Sequence, residues 1–165
     1  VLVATDGSPS AKAIPEILAR WRFLHALPTD VVSVAPRPAA AAEFLVTAWA
    51  PTPEIGHDGQ ADELAARHHR YADELAERLR EAGWNATPTV RVGDAARQIV
   101  KAAEELECDL VITGSRGLGD LKRLMIGSVA HDVLLHTPCS VLVLRGHVPA
   151  RLAQKAAMAA VAVPA

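Results

Sequence analysis

Five short runs of β-branched and aliphatic residues punctuate the chain, over residues 1–5, 31–35, 87–92, 110–113 and 141–144. Several are apolar throughout rather than alternating, as expected of strands in a parallel sheet covered on both faces. The stretches between them have helical spacing. Ser8-Pro9 offers an N-cap and a first-turn proline, followed by Ile14, Ile17, Leu18, Trp21 and Leu24 on one face. Pro15 conflicts with a regular helix there, at ~3 kcal/mol in a helix interior. The pattern therefore predicts a kink, or a helix that begins near Pro15. A second helix, about 61–82, aligns Leu64, Tyr71, Leu75 and Leu79 and stops at Gly83. Glu63/Arg67 and Glu74/Arg78 would support it as pairs four residues apart. A third has Asp94 as N-cap, with Ile99, Val100, Ala103 and Leu106 facing inward. A fourth opens near Gly127-Ser128 and ends before Pro138. Strands alternating with helices predict an α/β fold with a parallel sheet and right-handed crossovers.

Two segments break the rhythm. Residues 36–60 hold Pro36, Pro38, Pro51, Pro53, Gly56 and Gly59, which predicts a long irregular connection of the kind that serves as a flap or functional loop. Residues 146–165 form an Ala-rich tail, compatible with a short helix, a linker or disorder. The expected organisation is one domain over 1–145 followed by this tail.

Composition narrows the function. A length of 165 residues suits one domain. With 17 Lys+Arg against 19 Asp+Glu, the net charge of −2 gives no general attraction to nucleic acid or to an anionic membrane. Aromatics at 4% disfavour binding by base stacking. No apolar stretch reaches the roughly 20 residues of a membrane span, and no basic start leads into an apolar core as in a signal peptide. The expected location is the cytoplasm. The chain starts at Val1, inside an apolar run and without an initiator Met, which leaves room for preceding residues. Cys108 and Cys139 form neither a disulfide framework nor a metal set, and are expected as buried reduced thiols.

The candidate chemistry lies in two loops. Gly114-Ser115-Arg116-Gly117-Leu118-Gly119 follows a predicted strand, and Gly127-Ser128 then opens a helix. Glycines allow close approach of backbone to an anion, and the unpaired N–H groups of a helix start point at it. Ser128 adds a hydroxyl and Arg116 a cation. The spacing is neither that of a Walker A loop nor that of a dinucleotide-binding turn. It fits a phosphate site, or simply glycine turns and a helix cap. At the other loop, Asp6 ends the first strand, placed to accept hydrogen bonds from a ribose or merely to order the turn before the first helix.

Ala4-Thr5-Asp6-Gly7-Ser8, together with Gly114-x2-Gly117-x9-Gly127-Ser128 between the last two strands, resembles the universal stress protein family in its ATP-binding form. The resemblance covers about residues 1–145. It implies a Rossmann-like five-stranded parallel sheet in order 3-2-1-4-5, helices on both faces, akin to the adenine nucleotide alpha hydrolases. It implies a bound adenine nucleotide, ATP or else ADP or AMP, with or without Mg, and homodimers paired through the last strand. By motif position, Asp6 would take the ribose or adenine end with Thr5 beside it, and Val34 or Ala35 would lie against adenine. Gly114, Arg116 and Gly117 would line the phosphate loop, and Gly127, Ser128 and Val129 would hold phosphates. Ala130 departs from the second hydroxyl common in ATP-binding relatives, a contact worth ~1 kcal/mol. The implied sheet also makes neighbours of the two strands that Cys108 and Cys139 precede.

Other residues suggest less. His68 and His69 are adjacent on a helix and point apart, His131 and His136 are five apart, and His57-Asp58 falls in the irregular connection. No metal site is expected, and these histidines read as solvated. No Gly-x-Ser-x-Gly elbow marks a nucleophile. Lys122 and Arg123 join Arg116 in a small basic group that would face phosphates, a partner or solvent. The reading is a regulatory ATP-binding module without efficient catalysis, slow hydrolysis aside. The alternatives are a dimerisation or signalling module that binds no nucleotide, and an ATP-using ligase or nucleotidyl transferase.

Overall fold

The computed structural model describes residues 1–37, 59–115 and 126–145. The irregular connection expected over 36–60 lies mostly outside these residues, as do the tail over 146–165, His57, Arg116, Gly117, Lys122 and Arg123.

Five strands, β1 (Leu2–Thr5), β2 (Pro28–Ala35), β3 (Asn85–Val92), β4 (Leu110–Gly114) and β5 (Ser140–Leu144), form one sheet in the order β3-β2-β1-β4-β5. Every pairing is parallel, with Val3 opposite Val31 on one side and Ile112 on the other. This is the expected architecture. β2 and β3 begin earlier than their apolar runs, and Pro88 sits within β3 opposite Val31. An edge strand tolerates the missing N–H.

Strand side chains alternate between faces. On one face Val3, Val31 and Ile112 pack with Ile14, Leu18, Leu75, Leu79 and Trp84. On the other, Leu2, Ala4, Val32 and Val111 pack with Ile99, Ala102, Ala103 and Val133. The first helical pattern is broken in two, α1 (Pro9–Lys12) and α2 (Ile14–Leu18), followed by a 3-10 turn at Arg22–Leu24. Pro15 falls in the first turn of α2, where its missing N–H costs nothing. The long helix α3 (Gly59–Glu81) ends as its Gly83 predicted. Gly83 has φ +92° and donates to Arg80 O at 2.9 Å, while Trp84 N–H donates to Leu79 O at 2.9 Å, a Schellman closure.

Some expectations need correction. In α4 (Ala95–Glu105) Asp94 caps as predicted, accepting the Arg97 N–H at 3.0 Å, but Leu106 lies beyond the helix and is exposed. Ala96 and Ala102 are buried along that inner face instead. Glu74 and Arg78 do not pair with each other. Arg78 bonds Glu16 at 2.9 Å and Glu74 approaches Lys12 at 4.0 Å, because α3 lies across α1 and α2. Among the described residues, the last helix is α5 (Ser128–His136). Among the described residues, no helix is long and apolar enough to cross a membrane.

Candidate functional site

The carboxyl ends of β1 and β4 are neighbours, and the helices that follow them, α1 and α5, pack on opposite faces of the sheet. A crevice opens at such a reversal of strand order. Here it is a cavity of about 200 Å³. Its apolar lining comes from Ala4 of β1, Val32 and Val34 of β2, and Ala95 and Ile99 of α4. Thr5, Asp6, Thr113 and Gly114 line it from the strand ends, and residues 127–130 line it from the start of α5.

Local chemistry sets each group. At the end of β1, Thr5 Oγ1 accepts the Gly7 N–H at 3.2 Å and Asp6 Oδ1 accepts the Ser8 N–H at 3.0 Å. Ser8 Oγ in turn accepts the Ala11 N–H at 3.3 Å, capping α1. Asp6 thus orders the turn with one oxygen while lining the crevice, so both roles weighed for it are compatible. Gly114 has a packing reason as well: a Cβ there would stand 3.0 Å from Ser10 Cβ, so the glycine lets α1 approach β4.

Gly127 is the N-cap of α5 and supplies no side-chain cap. Its own N–H donates to Ser115 O at 2.8 Å, which ties the helix start to the end of β4. The first-turn N–H groups of α5 have no partner within the helix, and the helix dipole adds partial positive charge there. Ser128 and Val129 are exposed at the mouth, while Ala130 is 3% exposed. Its buried methyl stands where a second hydroxyl would be expected.

Of the site residues expected from the sequence, the structure brings Thr5, Asp6, Val34, Gly114, Gly127, Ser128 and Val129 to one crevice. Of the pair Val34 and Ala35, it is Val34 that lines it; Ala35 is buried and its carbonyl accepts the Gly93 N–H at 2.9 Å. Arg116 and Gly117 lie outside the described residues. Sequence reading missed Thr113, which a strand-end hydroxyl beside Gly114 could have signalled. It also missed His68. Expected as solvated, His68 is half-buried, with Nδ1 2.8 Å from Ser33 Oγ. Burial and the neighbouring Arg67 hold its pKa below the ordinary value, while Asp6 acts in the opposite direction. Cys108 and Cys139 are free, half-buried against one core cluster, and burial pushes both thiols up, away from the reactive thiolate.

The fold and crevice define a doubly wound α/β protein with a cavity at its switch point. The chain matches the universal stress protein family over residues 1–145, and it belongs to that family. It is 31% identical over 153 residues to the universal stress protein YxiE of Bacillus subtilis, covering 88% of this chain and 97% of that one. Among solved structures, a universal stress protein from Archaeoglobus fulgidus in complex with dAMP superposes with a TM-score of 0.59 at 20% identity, covering 87% of this chain and 94% of that one. A universal stress protein in complex with cAMP gives 0.55 at 20% identity, covering 88% and 95%. At that identity both show the shared fold.

Proposed function

We propose that the crevice binds an adenine nucleotide, with ATP as the first candidate and ADP or AMP as alternatives, and that binding is regulatory rather than catalytic. One observation carries this reading: residues far apart in sequence, from Thr5 to Val129, line one crevice that joins an apolar wall to a helix start without a side-chain cap. The residues suit the parts of such a ligand. Val32, Val34 and Ile99 offer apolar surface to a base, Asp6 offers an acceptor to ribose hydroxyls, and the N–H groups opening α5 offer donors to phosphates. The dAMP and cAMP complexes of the two fold relatives support an adenine nucleotide. Asp6 is the one carboxylate among the described lining residues, and it already accepts from Ser8, so no general base is assigned. We place the protein in a cytoplasmic stress response, as a homodimer joined through β5.

The purified protein, denatured and examined by mass spectrometry, is expected to release adenine nucleotide. Calorimetric titration of nucleotide-free protein with ATP, ADP, AMP, dAMP and cAMP then ranks the ligands. Absence of released nucleotide together with no binding at millimolar ATP overturns the reading. Steady turnover with a second substrate would favour a ligase or transferase instead.

A further inference from the structure

The face of α3 nearest the β1 turn makes contacts that the crevice lining does not explain. Ser33 is fully buried on β2. Its hydroxyl donates to the Thr5 carbonyl at 2.9 Å, and the same Oγ is 2.8 Å from His68 Nδ1. A carbonyl oxygen only accepts, and a serine has one hydroxyl proton, so that proton is committed to Thr5. Ser33 Oγ must then accept in its second bond, and the hydrogen there belongs to His68 Nδ1. One turn further along α3, the Tyr71 ring stands edge-on to His68 with centroids 5.5 Å apart. Tyr71 also covers Gly7: a Cβ at Gly7, whose φ is +73°, would be 2.4 Å from Tyr71 Cε1. The helix therefore reaches the Thr5 carbonyl through Ser33 of β2 and covers residue 7 by close contact. Asp6 is the residue between them.

We infer that His68 is a positioning residue for the crevice, donating from Nδ1 through Ser33 to the Thr5 carbonyl and, with Tyr71 on Gly7, fixing where Asp6 presents its carboxylate. The role of Asp6 as a ligand contact rests on the nucleotide reading, whereas the relay itself does not. The relay needs the Nδ1–H form of imidazole, although free neutral histidine favours hydrogen on Nε2. Burial keeps the ring neutral near pH 7, so the tautomer is a real choice that the protein makes.

The first test is the nitrogen-15 imidazole spectrum of the whole chain above pH 7.5, expected to show His68 as the Nδ1–H tautomer. The second compares His68→Leu, which has no donor, with His68→Asn, whose side-chain amide can place an N–H where Nδ1–H stood. His68→Leu is expected to weaken ATP binding about tenfold, as for loss of one hydrogen bond from a displaced Asp6 to the ligand, with His68→Asn back within about threefold of the parent. Without any nucleotide, amide exchange at Gly7 and Ser8 should quicken in His68→Leu and recover in His68→Asn. An Nε2–H tautomer overturns the inference. So does His68→Leu with parental affinity and exchange, or His68→Asn no better than His68→Leu. If the parent binds no nucleotide, the functional reading fails, while the tautomer and the Gly7 and Ser8 exchange still decide the relay. The spectrum of the parent decides it even if His68→Leu does not fold.

Discussion

Gly127 opens α5 with φ −65° and ψ 151°, an extended conformation open to any residue. What it contributes to the crevice is an absent side chain, which leaves the first-turn amides accessible. Gly127→Val should therefore keep the fold, with an unchanged melting temperature, and lower ATP affinity by more than about tenfold in calorimetry, on the order of one lost charge-assisted hydrogen bond. Parental affinity in that variant would mean that the phosphate site is misassigned. His68 gives a second residue-scale expectation. Its folded pKa lies below the ordinary 6.5, so on acidification the unfolded chain takes up the proton first. Below 6.5, down to the lowered folded value, stability then falls as pH falls. Melting curves from pH 7.5 to 5 should show a smaller acid loss for His68→Asn than for the parent; equal losses would remove His68 as the titrating group. Glycines and caps were legible because they act on their neighbours in sequence. The Ser33–His68 contact was not, since it depends on how β2 and α3 sit 35 residues apart in the chain.

Elements read well where their ends carry local signals. Asp94 lies before α4 with Oδ1 on the Arg97 N–H at 3.0 Å, and Gly83 closes α3 in the conformation that favours glycine. Replacing the cap by Asp94→Ala should destabilise the protein by about 1 kcal/mol, read as a lower urea midpoint with the same slope. A changed slope would mean that more than a cap was lost. Patterns that averaged over an element were less faithful. Leu106 fits the period of α4 but lies past its last turn, so it stays exposed. The Glu74/Arg78 spacing suits a helix alone, yet in the folded chain nearby acceptors on α1 and α2 compete. Arg78 bonds both the Lys12 carbonyl and Glu16.

At the scale of the molecule, alternation of strands and helices gave a parallel sheet, but periodicity does not order its strands. The order came from resemblance, carried by two short loops, and the sheet has that order. Among the described residues, that order leaves β3 and β5 as the two edges, and they differ. β3 interrupts its edge with Pro88 and bears Arg91, which is ion-paired with Glu105. β5 reads Ser-Val-Leu-Val-Leu, with no proline or charge to discourage pairing. Such an edge invites another strand. A second copy of this chain paired along β5 meets that demand, as the homodimer proposal requires. Val143 is half-buried and, among the described residues, belongs to neither core cluster, so a charge there should disturb the edge more than the fold. The parent should sediment at twice the 17.5 kDa of one chain, and Val143→Lys at the single-chain mass with an intact circular dichroism spectrum. A dimeric Val143→Lys would move the interface away from β5. A parent that stays monomeric at high concentration would remove the homodimer, while leaving the crevice and its ligand as they are.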